Sequence, residues 1–177
     1  MNMKTIKLYN GVEIPQIGYG AMVAPADTER LVSEALNTGY RMIDTAQSYL
    51  NETEVGNAVR KSGLRREDIF LVSKVWFGNY GYEKAKASID ESLRRLQTDY
   101  IDLMLLHQPY CDRYGAWRAM EEAYRAGKLR SIGVANFYPD HLIDLAMNVD
   151  VKPMVNQVET HVFCQQQKPL EYMNDLD

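Results

Sequence analysis

Five apolar stretches of this sequence end in polar residues of the kinds that carry out chemistry. "MID" ends in Asp44, "FLVSK" in Lys74, "LMLLH" in His107, "IGVAN" in Asn136 and "MVNQ" in Gln157. Tyr49 follows Asp44 by five positions, in "RMIDTAQSYLNE". A tyrosine of ordinary acidity, with a pKa of about 10, is a poor acid at neutral pH. A lysine ammonium beside it stabilises the phenolate and makes the phenol a usable proton donor. In such a set Asp44 supplies the charge opposing Lys74, and His107 donates a hydrogen bond that orients a substrate oxygen. That is machinery for protonating an oxygen that gains negative charge, as a carbonyl oxygen does on hydride addition. None of the four side chains can carry hydride, so a cofactor must.

Each residue alone has a plainer reading. Asp44 can cap the next helix, Lys74 can snorkel to the surface, and His107, two residues before Pro109, can be a satisfied core histidine. Asn136 can simply open the turn before Pro139. The case for a site is the coincidence of all of them at strand ends, which a parallel barrel gathers at one rim.

The elements that must position them follow a regular rhythm. "TIKLYNGVEIPQIGYG" predicts a hairpin turning at Asn10-Gly11. Asp27 is placed to cap a helix through Leu31, Val32, Ala35 and Leu36 that Gly39 closes. "YRMID" predicts a strand, and a helix begins near Asn51 with Glu54 three residues on, a start resembling a capping box. "DIFLVSKVW", "YIDLMLLH", "LRSIGVAN" and "PMVNQVE" predict further strands. Helices run from about Gly81, over "RYGAWRAMEEAYRAG" and "PDHLIDLAM", and again from about residue 166. Continuous apolar strands alternating with amphipathic helices imply a parallel sheet covered by helices.

Both an open doubly wound sheet and a (β/α)8 barrel accept that rhythm. The nearest approach to a nucleotide-binding turn, "GYGAMV", lacks the third Gly of G-x-G-x-x-G and falls on the hairpin strand. This weighs toward the barrel, and we expect one domain over residues 1–177. With 20 basic and 24 acidic residues the chain has a formal charge of −4, which offers no electrostatic footprint for nucleic acid or an anionic membrane. No apolar run approaches the roughly 20 residues that span a bilayer. Cys111 and Cys164 form no C-x-x-C pair, and the N-terminus has no apolar signal core, so a reduced cytoplasmic setting is expected. His107, His141 and His161 lack metal-ligand spacing, so no metal is expected.

These residues sit in stretches that match a known family. "GVEIPQIGYG", "IDTAQSYLNETEVGNAV", "IFLVSKVW", "SLRRLQTDYIDLMLLHQP", "GKLRSIGVANF" and "VNQVE" occur in the order found in the aldo-keto reductases, which the chain resembles over residues 5 to about 173. The resemblance implies a cytoplasmic (β/α)8-barrel enzyme that reduces aldehydes and ketones, a small-molecule carbonyl being its substrate. It implies NADP(H), ahead of NAD(H), as cofactor. It also implies Tyr49 as proton donor, the Asp44–Lys74 pair as its activator and His107 as orienter of the carbonyl. Asn136 and Gln157 match positions that hold the nicotinamide carboxamide, Asp44 lies near the nicotinamide ribose, and Trp76 matches an aromatic lining the substrate pocket. Trp76 reads almost as well as a packing residue of the barrel rim.

Three departures accompany the match. "ANF" stands where the family has "SNF", so Ala135 brings no hydroxyl to the carboxamide. "HQP" replaces "HWP" and leaves His107 intact. The chain also stops soon after the sixth strand, whereas such barrels run to about 250 residues. The resemblance then implies that strands seven and eight are missing, with the aromatic that stacks on the nicotinamide, the basic loop for the 2′-phosphate and a substrate loop. The expectation is an incomplete barrel: an N-terminal hairpin plus about six βα units, poorly stable alone and weak in binding cofactor. A non-catalytic or truncated family member acting as a structural or regulatory subunit is the alternative. Nothing in the sequence sets an oligomeric state.

Overall fold

The computed structural model describes residues 4–176; positions 1–3 and 177 of the expected domain lie outside the described residues. β1 (Thr5–Lys7) and β2 (Glu13–Pro15) form the antiparallel hairpin, with Ile6 opposite Ile14. Its turn needs Gly11, whose φ is 90°, a value that costs a Cβ-bearing residue steric strain. Asn10 ties the hairpin down, donating from Nδ2 to the carbonyl of Arg130 at 3.0 Å.

Six parallel strands follow, each paired with the next: β3 (Tyr19–Gly20), β4 (Met42–Asp44), β5 (Phe70–Val75), β6 (Leu103–Leu106), β7 (Ile132–Ala135) and β8 (Asn156–Gln157). The helices α1 (Pro25–Thr38), α2 (Glu52–Lys61), α3 (Tyr82–Leu96), α4 (Arg113–Arg125) and α5 (Pro139–Ala146) alternate with them, and α6 (Gln167–Asn174) comes last. The sheet is strongly curled. Gln157 on β8 reaches Asp44 on β4 at 2.5 Å, with β5, β6 and β7 between them. Across a flat sheet those four strand spacings would separate them by about 19 Å. The architecture is an incomplete (β/α)8 barrel, open between β8 and β3.

The strand alternation explains why the sequence folds this way. Phe70 and Val72 of β5, Leu103 and Leu105 of β6 and Ala135 of β7 form an inner apolar cluster, which Val12 and Ile14 of the hairpin join. Leu71 and Val75, Met104 and Leu106, and Ile132 and Val134 pack outward against the helices. Lys74 and His107 continue the inner series two residues beyond Val72 and Leu105, so the period of two turns both into the barrel.

Three local expectations are corrected. "GYG" is not the end of the hairpin strand: β2 stops at Pro15, and Tyr19–Gly20 is a separate strand parallel to β4. Asp27 does not cap α1, because Pro25, with its φ already preset, starts the helix earlier behind Ala24; Asp27, now within the first turn, instead pairs with Arg30 three residues on. Asn51 stands at the N-cap of α2 but makes no capping hydrogen bond. Its amide is used on other elements, as the site shows.

Candidate active site

At the C-terminal ends of the strands the Lys74 ammonium, 3% exposed, pairs with Asp44 Oδ1. Its second partner is the carbonyl of Thr45 at 3.0 Å. The other carboxylate oxygen of Asp44 accepts from Gln157 Nε2. A buried ammonium is costly to leave without an opposing charge, and here the charge and two oxygens come from the strand beside it. Lys74 Nζ also lies 5.2 Å from the centre of the Tyr49 ring.

His107 stands between two aromatic residues. Its ring centre is 5.9 Å from that of Tyr49 and 5.3 Å from that of Trp76, nearly edge-on to both. Burial, and next the nearby Lys74 charge, push its pKa down to about 4, against a smaller opposite pull from Asp44. The imidazole is therefore neutral at pH 7. Ser48 Oγ lies 3.4 Å from Nδ1; a hydroxyl donating there leaves the ring proton on Nε2. Beyond Trp76 the aromatic surface continues through Phe77, 4.1 Å away, to Tyr110, 5.8 Å further.

All seven residues singled out in the sequence fall in this region. Asn136 occupies the left-handed conformation, φ 61°, which Asn tolerates better than most residues, and donates to the carbonyl of His107 at 3.1 Å. The partners of Asn136 and Gln157 are oxygens that can only accept, so each amide nitrogen must face the protein. The two amide oxygens are then turned away, and among the described residues no donor reaches either. That pair of acceptors suits a carboxamide, which has N–H groups to give.

Several residues that hold the site carried no signal in the sequence. Tyr49 lies in a 3-10 turn, Gln47–Tyr49, closed by Leu50 in the left-handed conformation. Beyond that turn, Asn51 accepts from Thr45 Oγ1 at 2.6 Å and donates to the Ala21 carbonyl at 2.7 Å and to Thr28 Oγ1 at 3.1 Å. At its start, Gln47 bonds to Trp76, Asn79, Ser88 and Ser92. The neighbouring Glu52 is buried and accepts from Ser73 at 2.6 Å; burial pushes its carboxyl pKa up. A polar residue at 47 and another at 51, flanking a tyrosine, was the only hint available. Apart from Thr45, six positions before Asn51, their partners lie 23 to 45 positions away in sequence.

Comparison with known proteins agrees with this geometry. The family model described as the Aldo/keto reductase family matches residues 14–177. A glyoxal reductase of Bacillus subtilis is 46% identical over 171 residues, covering 95% of this chain and 62% of that protein. A morphine 6-dehydrogenase of Pseudomonas putida is 45% identical over 169 residues, covering 93% and 57%. Among solved structures, an aldo/keto reductase from Brucella melitensis superposes with a TM-score of 0.94 at 41% identity, covering 99% of this chain and 69% of that one. A Bombyx mori aldo-keto reductase in complex with NADP gives 0.93 at 29% identity, covering 99% and 64%. The chain thus spans about three-fifths of the length of the curated relatives it matches. With the curled sheet, the rim of polar strand ends and a family match over nearly its whole length, the chain belongs to the aldo/keto reductase family.

Proposed function

We propose that the protein carrying this chain reduces aldehydes and ketones to alcohols with NADP(H), with Tyr49 as the proton donor. One observation carries the reading: Tyr49 stands beside a buried Lys74–Asp44 pair and a neutral His107, and these come from different strand ends and a turn. The Nε2–H of His107 holds the carbonyl oxygen and polarises it. When bound, the cofactor supplies the hydride that these side chains cannot. Tyr49 gives its proton to the oxygen as negative charge develops there, and the Lys74 ammonium stabilises the phenolate left behind. Asp44 holds Lys74 in place and balances its charge. The outward amide oxygens of Asn136 and Gln157 fit the carboxamide end of the cofactor, and Trp76 forms a wall for the substrate.

NADP(H) is favoured over NAD(H) because a structural neighbour was solved with NADP and another, also an aldo-keto reductase, with NADPH. Two free cysteines, Cys111 and Cys164, suit a reducing, cytoplasmic setting. Among the described residues no helix is long and apolar enough to cross a membrane. A second reading is a non-catalytic structural or regulatory subunit; among the described residues β3 and β8 are the edge strands of the sheet, and an edge strand is a surface that another polypeptide can pair with. Following NADPH absorbance with benzaldehyde separates the two. We expect turnover by the wild type and loss of about 10²-fold or more in Tyr49→Phe; equal rates in the two proteins remove Tyr49 from the mechanism, and no turnover by the wild type favours the subunit.

A further inference from the structure

Gln47 lies between Asp44 and Tyr49 in sequence, and its side chain is buried. Nε2 donates to the carbonyl of Ser88 and to Ser92 Oγ, both at 3.1 Å. Oε1 accepts from the backbone N–H of Trp76 at 3.0 Å and from Asn79 Nδ2 at 2.9 Å. A primary amide has two donor hydrogens and two acceptor lone pairs, and all four are used. Its orientation is fixed as well. The Trp76 N–H can only donate and the Ser88 carbonyl can only accept, so the oxygen must face β5 and the nitrogen α3.

We propose that Gln47 is a positioning residue that sets the spacing between the proton-donor turn and the aromatic wall, and thereby which carbonyl compounds fit between them. The inference rests on the reading of Tyr49 and Trp76 given above. Gln47 begins the turn that ends at Tyr49, so a shift of its side chain moves the phenol. Trp76 begins the 3-10 turn Phe77–Asn79, and that turn is held at both ends by the same amide oxygen, through Trp76 N and Asn79 Nδ2. The stack of Trp76 on Phe77 is therefore fixed relative to Tyr49 by one side chain. The side chains nearest to it in shape do not replace it. Asn is a methylene short, Met has no polar hydrogen to give, and an ionised Glu cannot donate to Ser88.

Gln47→Met tests the proposal, with Asn79→Ala as a second variant that cuts one link on a partly exposed loop. The first readout is the ratio of kcat/KM for benzaldehyde to that for propanal, because an aromatic wall favours the flat ring. We expect kcat to fall about 10- to 100-fold in Gln47→Met, with the ratio falling several-fold and NADPH affinity unchanged. Asn79→Ala should move the ratio in the same direction by less. The second readout needs no activity: iodide quenching of tryptophan fluorescence. Trp117, the other tryptophan of these 177 residues, is fully buried, so within this chain the quenching constant reports Trp76, and it should change in both variants. A merely structural role lowers both substrates' rates equally, in step with the folded fraction; that result, or a ratio and quenching constant identical to wild type in both variants, overturns the proposal. If the wild type itself shows no turnover, the functional reading fails and quenching alone decides, an unchanged constant refuting the link.

Discussion

His107 is the residue whose ionisation the site alters most visibly. Its pKa of about 4 means that no inflection near 6.5 should appear in its titration; NMR of the ring protons should give a midpoint near 4, and Lys74→Met should raise it by removing a repelling charge. The neutral ring is favoured in the fold, so its contribution to stability is complete above about pH 6.5 and is lost as the pH falls toward 4. Stability measured by urea unfolding should decline over that window by more in the wild type than in His107→Gln. Asp44 tests the same cluster differently. Asp44→Ala leaves the Lys74 ammonium buried without its counter-charge and should cost about 3 kcal/mol in urea unfolding. Asp44→Asn keeps an oxygen for Lys74, so it should cost less stability while still lowering activity. At this scale the sequence was legible where a residue's type and its place at a strand end sufficed, as for Asp44, Lys74 and His107. Gln47 and Asn51 were not, because their partners are set by which helix packs on which strand.

The elements owe their spacing to a few close approaches. A Cβ at Gly56 of α2 would stand 2.7 Å from the carbonyl oxygens of Arg95 and Leu96 at the end of α3, so α2 and α3 approach backbone to backbone there. Gly56→Ala should push the helices apart and cost about 1–3 kcal/mol, read as a lower urea midpoint at an unchanged slope. α2 carries Glu52 and α3 carries Ser88 and Ser92, so the same substitution should also weaken the hold on the Tyr49 turn. Element order and type were readable because apolar runs and amphipathic periods alternate without interruption. Helix starts were read less well. Asp27 has a capping side chain, yet Pro25 has its φ already fixed and begins the helix first; Asn51 sits where a cap belongs, but burial gives its amide better partners.

For the whole molecule, the hairpin covers one end of the barrel and the polar rim of Asp44, Lys74, His107 and Gln157 lies at the other. Ile14 reaches the inner cluster beside Phe70 and Leu103; Ile14→Asp would place a charge there and should cost about 2–4 kcal/mol, measured as a lower thermal midpoint. Among the described residues no strand joins β8 to β3, and beside β8 lies a groove of about 930 Å³ lined by Tyr9, Met154, Met173 and Leu176 among others. The barrel was legible from the rhythm of strands and helices, whereas the degree of curl was not; it is visible in the contact of Gln157 with Asp44. The most direct test of the account follows the atoms themselves. Incubation with benzaldehyde and NADPH carrying deuterium at the transferable position should yield benzyl alcohol with one deuterium on the former carbonyl carbon, and Tyr49→Phe should yield almost none. Absence of labelled alcohol from the wild type, or an equal yield from Tyr49→Phe, would contradict it.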